Sequence, residues 1–238
     1  MVSKPDASDT HSTRPPARAG GSKWGRRLWL PALLMALAVG ALALDVPLAR
    51  CCLESDFPGF IVDVFDVVEP FGNALGVVII LFAILALDPQ RRWGIPRIAT
   101  TAFGAGIAVN LIKICIVRWR PCYFVERGEP FPDSVGETFG RFLPLLTETS
   151  RQQSFPSGHT ATAVALAAAL FWLYGRGRTL FVVLAVLVAC NRVQTNAHYL
   201  SDTLVGAAVG CLAASVCLHR GALAGWFERK EQGWRGGE

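Results

Sequence analysis

An all-α bundle of six membrane-spanning helices is the architecture this amino-acid sequence predicts, on three observations. Hydrophobic residues make up 52% of the 238 residues and charged residues only 17%, against about 25% charged in soluble domains. The apolar residues are gathered into runs separated by short polar turns, the pattern of a polytopic membrane protein. Basic residues are unevenly placed: 15 of the 23 Lys and Arg fall in the N-terminal tail, the turns 88–97 and 175–178, and the C-terminal tail. Such a bias marks the cytoplasmic side, which puts both termini inside. The net charge of +5 then follows from topology, and no nucleic-acid partner is implied.

Each element can be justified in order. Residues 1–27 are polar, rich in Ser, Pro and basic residues, and are expected to form a disordered cytoplasmic tail because they have too few apolar groups to bury. Residues 28–220 hold the six spans, at 28–44, 70–87, 98–117, 158–174, 179–197 and 203–218, and 221–238 form a cytoplasmic C-terminal tail. Ala41 and Ala43 give the first run a small-x-small site, but its length favours an uncleaved anchor over a secretory signal. Between spans one and two, Ile61, Val64, Phe65 and Val68 recur at helical spacing, opposite Asp63, Asp66 and Glu69. A short amphipathic helix with a solvated acidic face is expected there, stopped by Pro70. The outer loop 120–155 reads as a lid or headgroup-contacting surface. Four cysteines, Cys115, Cys190, Cys211 and Cys217, fall in spans as packing residues, whereas Cys51, Cys52 and Cys122 lie on the outer, oxidising side, where Cys122 is placed to bridge one of the pair.

Three blocks carry the chemistry, and the topology puts all of them at the outer ends of spans three to six. The first is KICIVRWRP, in which Lys113 and Arg120 are seven residues apart. On a continuous helix that is two turns, so both cations share one face; Gly106 and Asn110 continue it inward, with Asn110 as interhelical glue. Arg118 lies off that face and reads as an interfacial arginine that snorkels. In the second block, FPSGHT, Ser157 is a natural N-cap, Gly158 permits close approach of backbone to a ligand, and the free N–H groups of the helix start form an anion site with His159 beside it. In the third, NRVQTNAHYLSD, His198 and Asp202 are four apart and stack on one helix face. Asp202 can then accept from Nδ1–H of His198 and leave Nε2 free to attack. Gly206 and Gly210 continue the Asp202 side and allow close packing behind it. Intramembrane Lys113 and Arg192 are costly without a role. His11, His219 and the remaining acids read as solvated surface groups.

The blocks also limit the chemistry. No Cys/His spacing fits a zinc site, and no acidic cluster in the blocks would hold magnesium. Charge on a bound anion therefore falls to Lys113, Arg120, Arg192 and backbone N–H groups, with no metal or cofactor expected.

In type and order the blocks match Lys, six residues, Arg-Pro; Pro-Ser-Gly-His; and Arg, five residues, His, three residues, Asp. The sequence thereby resembles the type 2 phosphatidic acid phosphatase (PAP2) superfamily, over all but the two tails. It departs at Asn191, where the family pattern has Ser. The resemblance implies a metal-independent membrane phosphatase. Lys113, Arg120, Ser157, Gly158 and Arg192 would hold the phosphate, His159 would act as acid, His198 as nucleophile and Asp202 as its orienter. The implied partners are the lipid bilayer and a lipid phosphate or diphosphate. Phosphatidate, phosphatidylglycerophosphate, an isoprenoid diphosphate and lipid A all stay open. The expected setting is a bacterial inner membrane with the site facing the periplasm or exterior. A phosphotransferase would differ only in its acceptor. The soluble vanadium haloperoxidases of the superfamily lack such spans, and a six-span transporter would place polar groups at mid-membrane instead of its outer edge.

Overall fold

The computed structural model describes residues 25–142, 153–219 and 221–235, so the expected tail of residues 1–27 lies almost wholly outside them. Nine α-helices occur among the described residues: α1 Gly25–Glu54, α2 Gly59–Val68, α3 Ala74–Leu87, α4 Ile95–Lys113, α5 Pro121–Arg127, α6 Gly158–Leu173, α7 Arg178–Gln194, α8 Leu200–Leu218 and α9 Ala222–Arg235. A 3-10 turn, Glu69–Gly72, joins α2 to the α3 region, where Asn73 caps α3 by accepting the N–H of Gly76 at 2.8 Å. The one sheet among the described residues is an antiparallel pair, β1 Ile116–Arg118 and β2 Phe139–Phe142.

Helix α6 forms the middle of the bundle, packed by α4, α7 and α8, and α1 lies along α8. The composition of α6 explains this position. Ala161, Ala163, Ala165 and Ala169 are fully buried, and small side chains let backbones approach closely where lipid gives no hydrophobic drive to association. Gly210 of α8 meets α6 at the same depth: a Cβ there would lie 2.5 Å from the Ala161 carbonyl oxygen. The spacing of Gly206 and Gly210 had indicated this contact. Outward-facing Val39, Phe82, Leu87, Ile107, Val182 and Val216 are exposed, as a lipid-facing surface requires. The chain is an integral membrane helical bundle.

Several elements differ from the sequence expectation. Four helices are long and apolar enough to cross a membrane among the described residues, or five if the bent pair Gly59–Gly72 and Ala74–Leu87 counts as one span. The 16-residue α6 and 14-residue α3 are shorter than the roughly 20 residues of a full crossing. The third span ends at Lys113, and residues expected in it up to 117 enter strand β1 instead. Asn110 is exposed and therefore is not interhelical glue. The C-terminal segment forms α9, whose buried Glu231 pairs with buried Arg97 of α4 at 2.8 Å, so Glu231 is not a solvated acid. All seven cysteines are free thiols, Cys122 included.

Candidate active site

The start of α6 supplies the first wall. Ser157 caps the helix, its Oγ accepting the N–H of Thr160 at 3.4 Å, while its own N–H donates to the Asp202 carbonyl at 3.0 Å. This second bond ties the beginning of α8 to the beginning of α6. Gly206, one turn on, is pressed against the Ser157 carbonyl with no room for a Cβ. The start of α6 thus lies beside Asp202, and a helix start offers free N–H groups to an anion.

His198 lies just before α8, buried at 3% exposure. Its Nδ1 donates to the backbone carbonyl of Ser154 at 2.6 Å and stands 3.9 Å from Asp202 Oδ2. The direct bond to Asp202 expected from the four-residue spacing is therefore not the one made. Four-residue spacing stacks two side chains only where both lie on one helix, but α8 begins at Leu200 and His198 precedes it. Asp202 instead accepts Ser154 Oγ at 2.6 Å and the backbone N–H of Tyr199 at 3.0 Å. Ser154 thus links them, its carbonyl to the imidazole and its hydroxyl to the carboxylate. A neutral imidazole with its proton on Nδ1 has a free lone pair on Nε2. Burial holds His198 at about 4, well below the usual histidine range. Asp202 opposes that shift, and Lys113 and Arg120 add to it.

Two of the three expected cations, Lys113 and Arg120, come near this histidine from different elements. Lys113 ends α4, and Nζ donates to the Gln153 carbonyl at 2.8 Å. Arg120 lies beyond β1 and precedes α5, so the shared helix face invoked for Lys113 and Arg120 does not exist, although both reach the neighbourhood of His198. Burial, and to a smaller extent the nearby Arg192, lower the pKa of Arg120. Arg192, in the last turn of α7, is held by Asn191, whose Oδ1 accepts Nε at 2.8 Å and Nη2 as well. The residue that departs from the family pattern thus orients the neighbouring guanidinium.

Two acids and one arginine escaped the sequence reading. Glu69 reaches the site from the 3-10 turn, with Oε1 3.0 Å from Arg192 Nη1 and 3.3 Å from His159 Nε2. It belongs to a helix face that read as solvated. Arg118 is not a snorkelling surface residue: it is 0% exposed and paired with Asp202 at 2.5 Å and with Asp45 of α1 at 2.6 Å. Asp45 is likewise buried and not a surface charge. A signal for Asp45 was present, because it is the first ionisable residue after an uncharged run, 28–44, and such acids usually face a partner. Among the described residues there is no group of three or more His, Cys, Asp or Glu that could hold a metal ion.

A cavity of about 780 Å³ lies apart from these groups: none of Lys113, Arg120, His159, Arg192, His198 and Asp202 lines it. It runs between α1 and α7 over a floor of α6 and α8, with a lining that includes Leu34, Val186, Ala168 and Leu204 and is almost entirely apolar. Thr160, Gln194 and Leu200, which flank His159, Arg192 and His198 in sequence, border it.

A PAP2 superfamily model matches residues 95–225, more than half of the chain and all three blocks. The chain belongs to the PAP2 superfamily. Among its relatives is a lipid A 1-phosphatase of Rhizobium etli, 34% identical over 139 residues, which are 57% of this chain and 54% of that protein. The chain thus spans about half the length of the curated relatives it matches first. Two solved structures resemble it in fold. The structure of LpxE of Aquifex aeolicus has a TM-score of 0.52 at 20% identity, covering 74% of this chain and 94% of the other. That of the transmembrane PAP2-type phosphatidylglycerolphosphate phosphatase of Bacillus subtilis has a TM-score of 0.55 at 18% identity, covering 84% and 97%. At such identities the likeness is one of fold.

Proposed function

We propose that this PAP2 protein is an integral membrane phosphatase that hydrolyses a lipid phosphate or diphosphate through a phosphohistidine on His198, without a metal. The observation that carries the reading is the His198 imidazole, whose Nδ1–H is committed to the Ser154 carbonyl while Lys113 and Arg120 crowd the same site. A neutral nucleophile beside fixed cations is what attack on an anionic phosphorus needs. Nε2 forms a bond to phosphorus as the bond to the lipid oxygen breaks, and that oxygen takes a proton from His159. Water then attacks the phosphohistidine, gives its proton to His159 and releases phosphate. Lys113, Arg120, Arg192, Ser157, Gly158 and the amides of α6 hold the phosphoryl oxygens. Asp202 orients His198 through Ser154.

The α1/α7 cavity supports a lipid over a soluble ester, since its apolar lining suits a hydrocarbon tail while the headgroup meets the cations. The curated relative named above acts, by its name, on a lipid phosphate. In this reading the chain crosses six times, with α3 and α6 short, and the basic residues of the inner turns support an outward-facing site. The test is phosphate release by purified protein in detergent with EDTA present, over a panel of phosphatidate, phosphatidylglycerophosphate, isoprenoid diphosphate and lipid A. Release from at least one lipid, lost in His198→Ala together with any acid-labile phosphoenzyme, is expected. Full activity in His198→Ala, or activity abolished by EDTA, refutes the mechanism.

A further inference from the structure

The reaction above leaves one fully buried carboxylate on the first membrane helix unused. Asp45 of α1 is 1% exposed, and both of its oxygens are engaged. Oδ2 accepts Arg118 Nη2 at 2.6 Å and Ser201 Oγ at 2.5 Å, and Oδ1 accepts the backbone N–H of Ser201 at 2.9 Å. Arg118 in turn gives Nη1 to Asp202 Oδ1 at 2.5 Å and to Ser201 Oγ at 2.8 Å, and Nε to Thr138 Oγ1 at 3.1 Å. The rings of Phe139 and Tyr199 lie against the guanidinium, 4.4 and 4.1 Å from its carbon. The contacts form one unbroken series from α1 to the imidazole: Asp45, Arg118, Asp202, Ser154, His198.

Two features separate this cluster from an ordinary helix clamp. First, a buried ion pair is a poor source of stability, because desolvation offsets most of the attraction and apolar packing would serve as well. Second, the cluster is unbalanced, with two carboxylates against one guanidinium. A lone Arg118–Asp202 pair would be neutral. The second carboxylate adds a negative charge in a buried region behind His198, opposing the nearby Lys113 and Arg120, and buried charges act strongly on each other.

We propose that Asp45 is a positioning residue of the reaction, which makes the first membrane helix part of the catalytic apparatus. It fixes the Arg118 fork that sets the Asp202 carboxylate. It also supplies the negative charge that favours the cationic imidazole ring formed when Nε2 bonds to phosphorus and Nδ1 keeps its proton. The proposal rests on the phosphatase reading.

Asp45→Asn keeps the shape of the side chain and removes its charge, and Ser201→Ala removes only the hydroxyl shared by Asp45 and Arg118. In detergent, on the best lipid of the panel, Asp45→Asn should lower kcat by roughly 10- to 100-fold. KM should change less than about 2-fold, since no group on the phosphoryl oxygens is touched. Single-turnover formation of the phosphoenzyme should slow in the same proportion. Ser201→Ala should show the same split, by roughly 3- to 10-fold. Arg50→Gln, which removes the exposed tie from α1 to Asp133, should leave kcat unchanged. A merely structural role predicts instead a lower melting temperature with normal kcat per folded molecule. Wild-type kcat in folded Asp45→Asn, or in Ser201→Ala should the first variant not fold, overturns the proposal. Wild-type protein that releases no phosphate from any lipid refutes the phosphatase reading itself and removes the basis for this one.

Discussion

Replacing Gly210 by alanine adds a single methyl group at the closest approach of α8 to α6. That methyl would lie 2.5 Å from the Ala161 carbonyl oxygen and 3.0 Å from Val164 Cβ. Carbon atoms pack best at about 3.5 Å or more, so the helices must part by up to roughly 1 Å. Neither contact is the free end of a flexible side chain, so little of the strain can be relieved locally. Overpacking of this kind costs about 1–3 kcal/mol, against a gain of up to about 1 kcal/mol from replacing glycine in a helix. The net expectation is a loss of about 1–2 kcal/mol, which for a chain of this size lowers Tm by roughly 2–8 °C. Activity should suffer more than stability, because α6 carries His159 and α8 carries Asp202. A shift approaching 1 Å between reacting groups lowers kcat by up to about 100-fold. Gly104 of α4 is the control: it is helical, and a Cβ there meets nothing within 4 Å, so Gly104→Ala should keep kcat and hold or raise Tm. Thermal unfolding in detergent and phosphate release measure both. Equal Tm and kcat in Gly210→Ala and Gly104→Ala would show that the helices separate freely and that the packing argument is wrong.

Three further outcomes are expected. The acidic limb of kcat/KM should fall near pH 4 rather than near 6.5, because neutral His198 is the reactive form and burial depresses its protonation to about 4; a limb at 6.5 would assign the nucleophile to another group or a solvated one. Arg192→Lys should retain little more activity than Arg192→Ala, since a point charge cannot reproduce a planar guanidinium that is held by Asn191 and, in the proposed reaction, binds phosphoryl oxygens. Near-wild-type kcat/KM with lysine would remove Arg192 from the phosphate site. Single cysteines at Glu129 and Arg178, in a cysteine-free active variant, should react with a membrane-impermeant reagent from opposite sides, and labelling of both from one side would overturn the outward-facing topology.

Residue types and spacing alone determined that this chain is a membrane helical bundle and where its three polar blocks lie. Both signals are local: an apolar run reports the solvent around it, and Pro-Ser-Gly-His reports a capped helix start whose amides have nowhere else to go. The close packing of α8 on α6 was legible for the same reason, since Gly206 and Gly210 are one turn apart. Spacing misleads wherever a helical period is extended past the end of a helix. Lys113 and Arg120 looked like neighbours on one face, but the chain leaves α4 at Lys113 and enters a strand, which turns Arg118 inward. His198 looked stacked on Asp202, but it precedes α8 and reaches the carboxylate only through Ser154. Arg118 meets Asp45 across 73 positions and Asp202 across 84, and Glu69 arrives at Arg192 from a separate turn. No periodicity connects residues so far apart. Their partnership is set by which helices pack together, and the need of a buried charge for a counter-charge selects the pair only once that packing has brought them within reach.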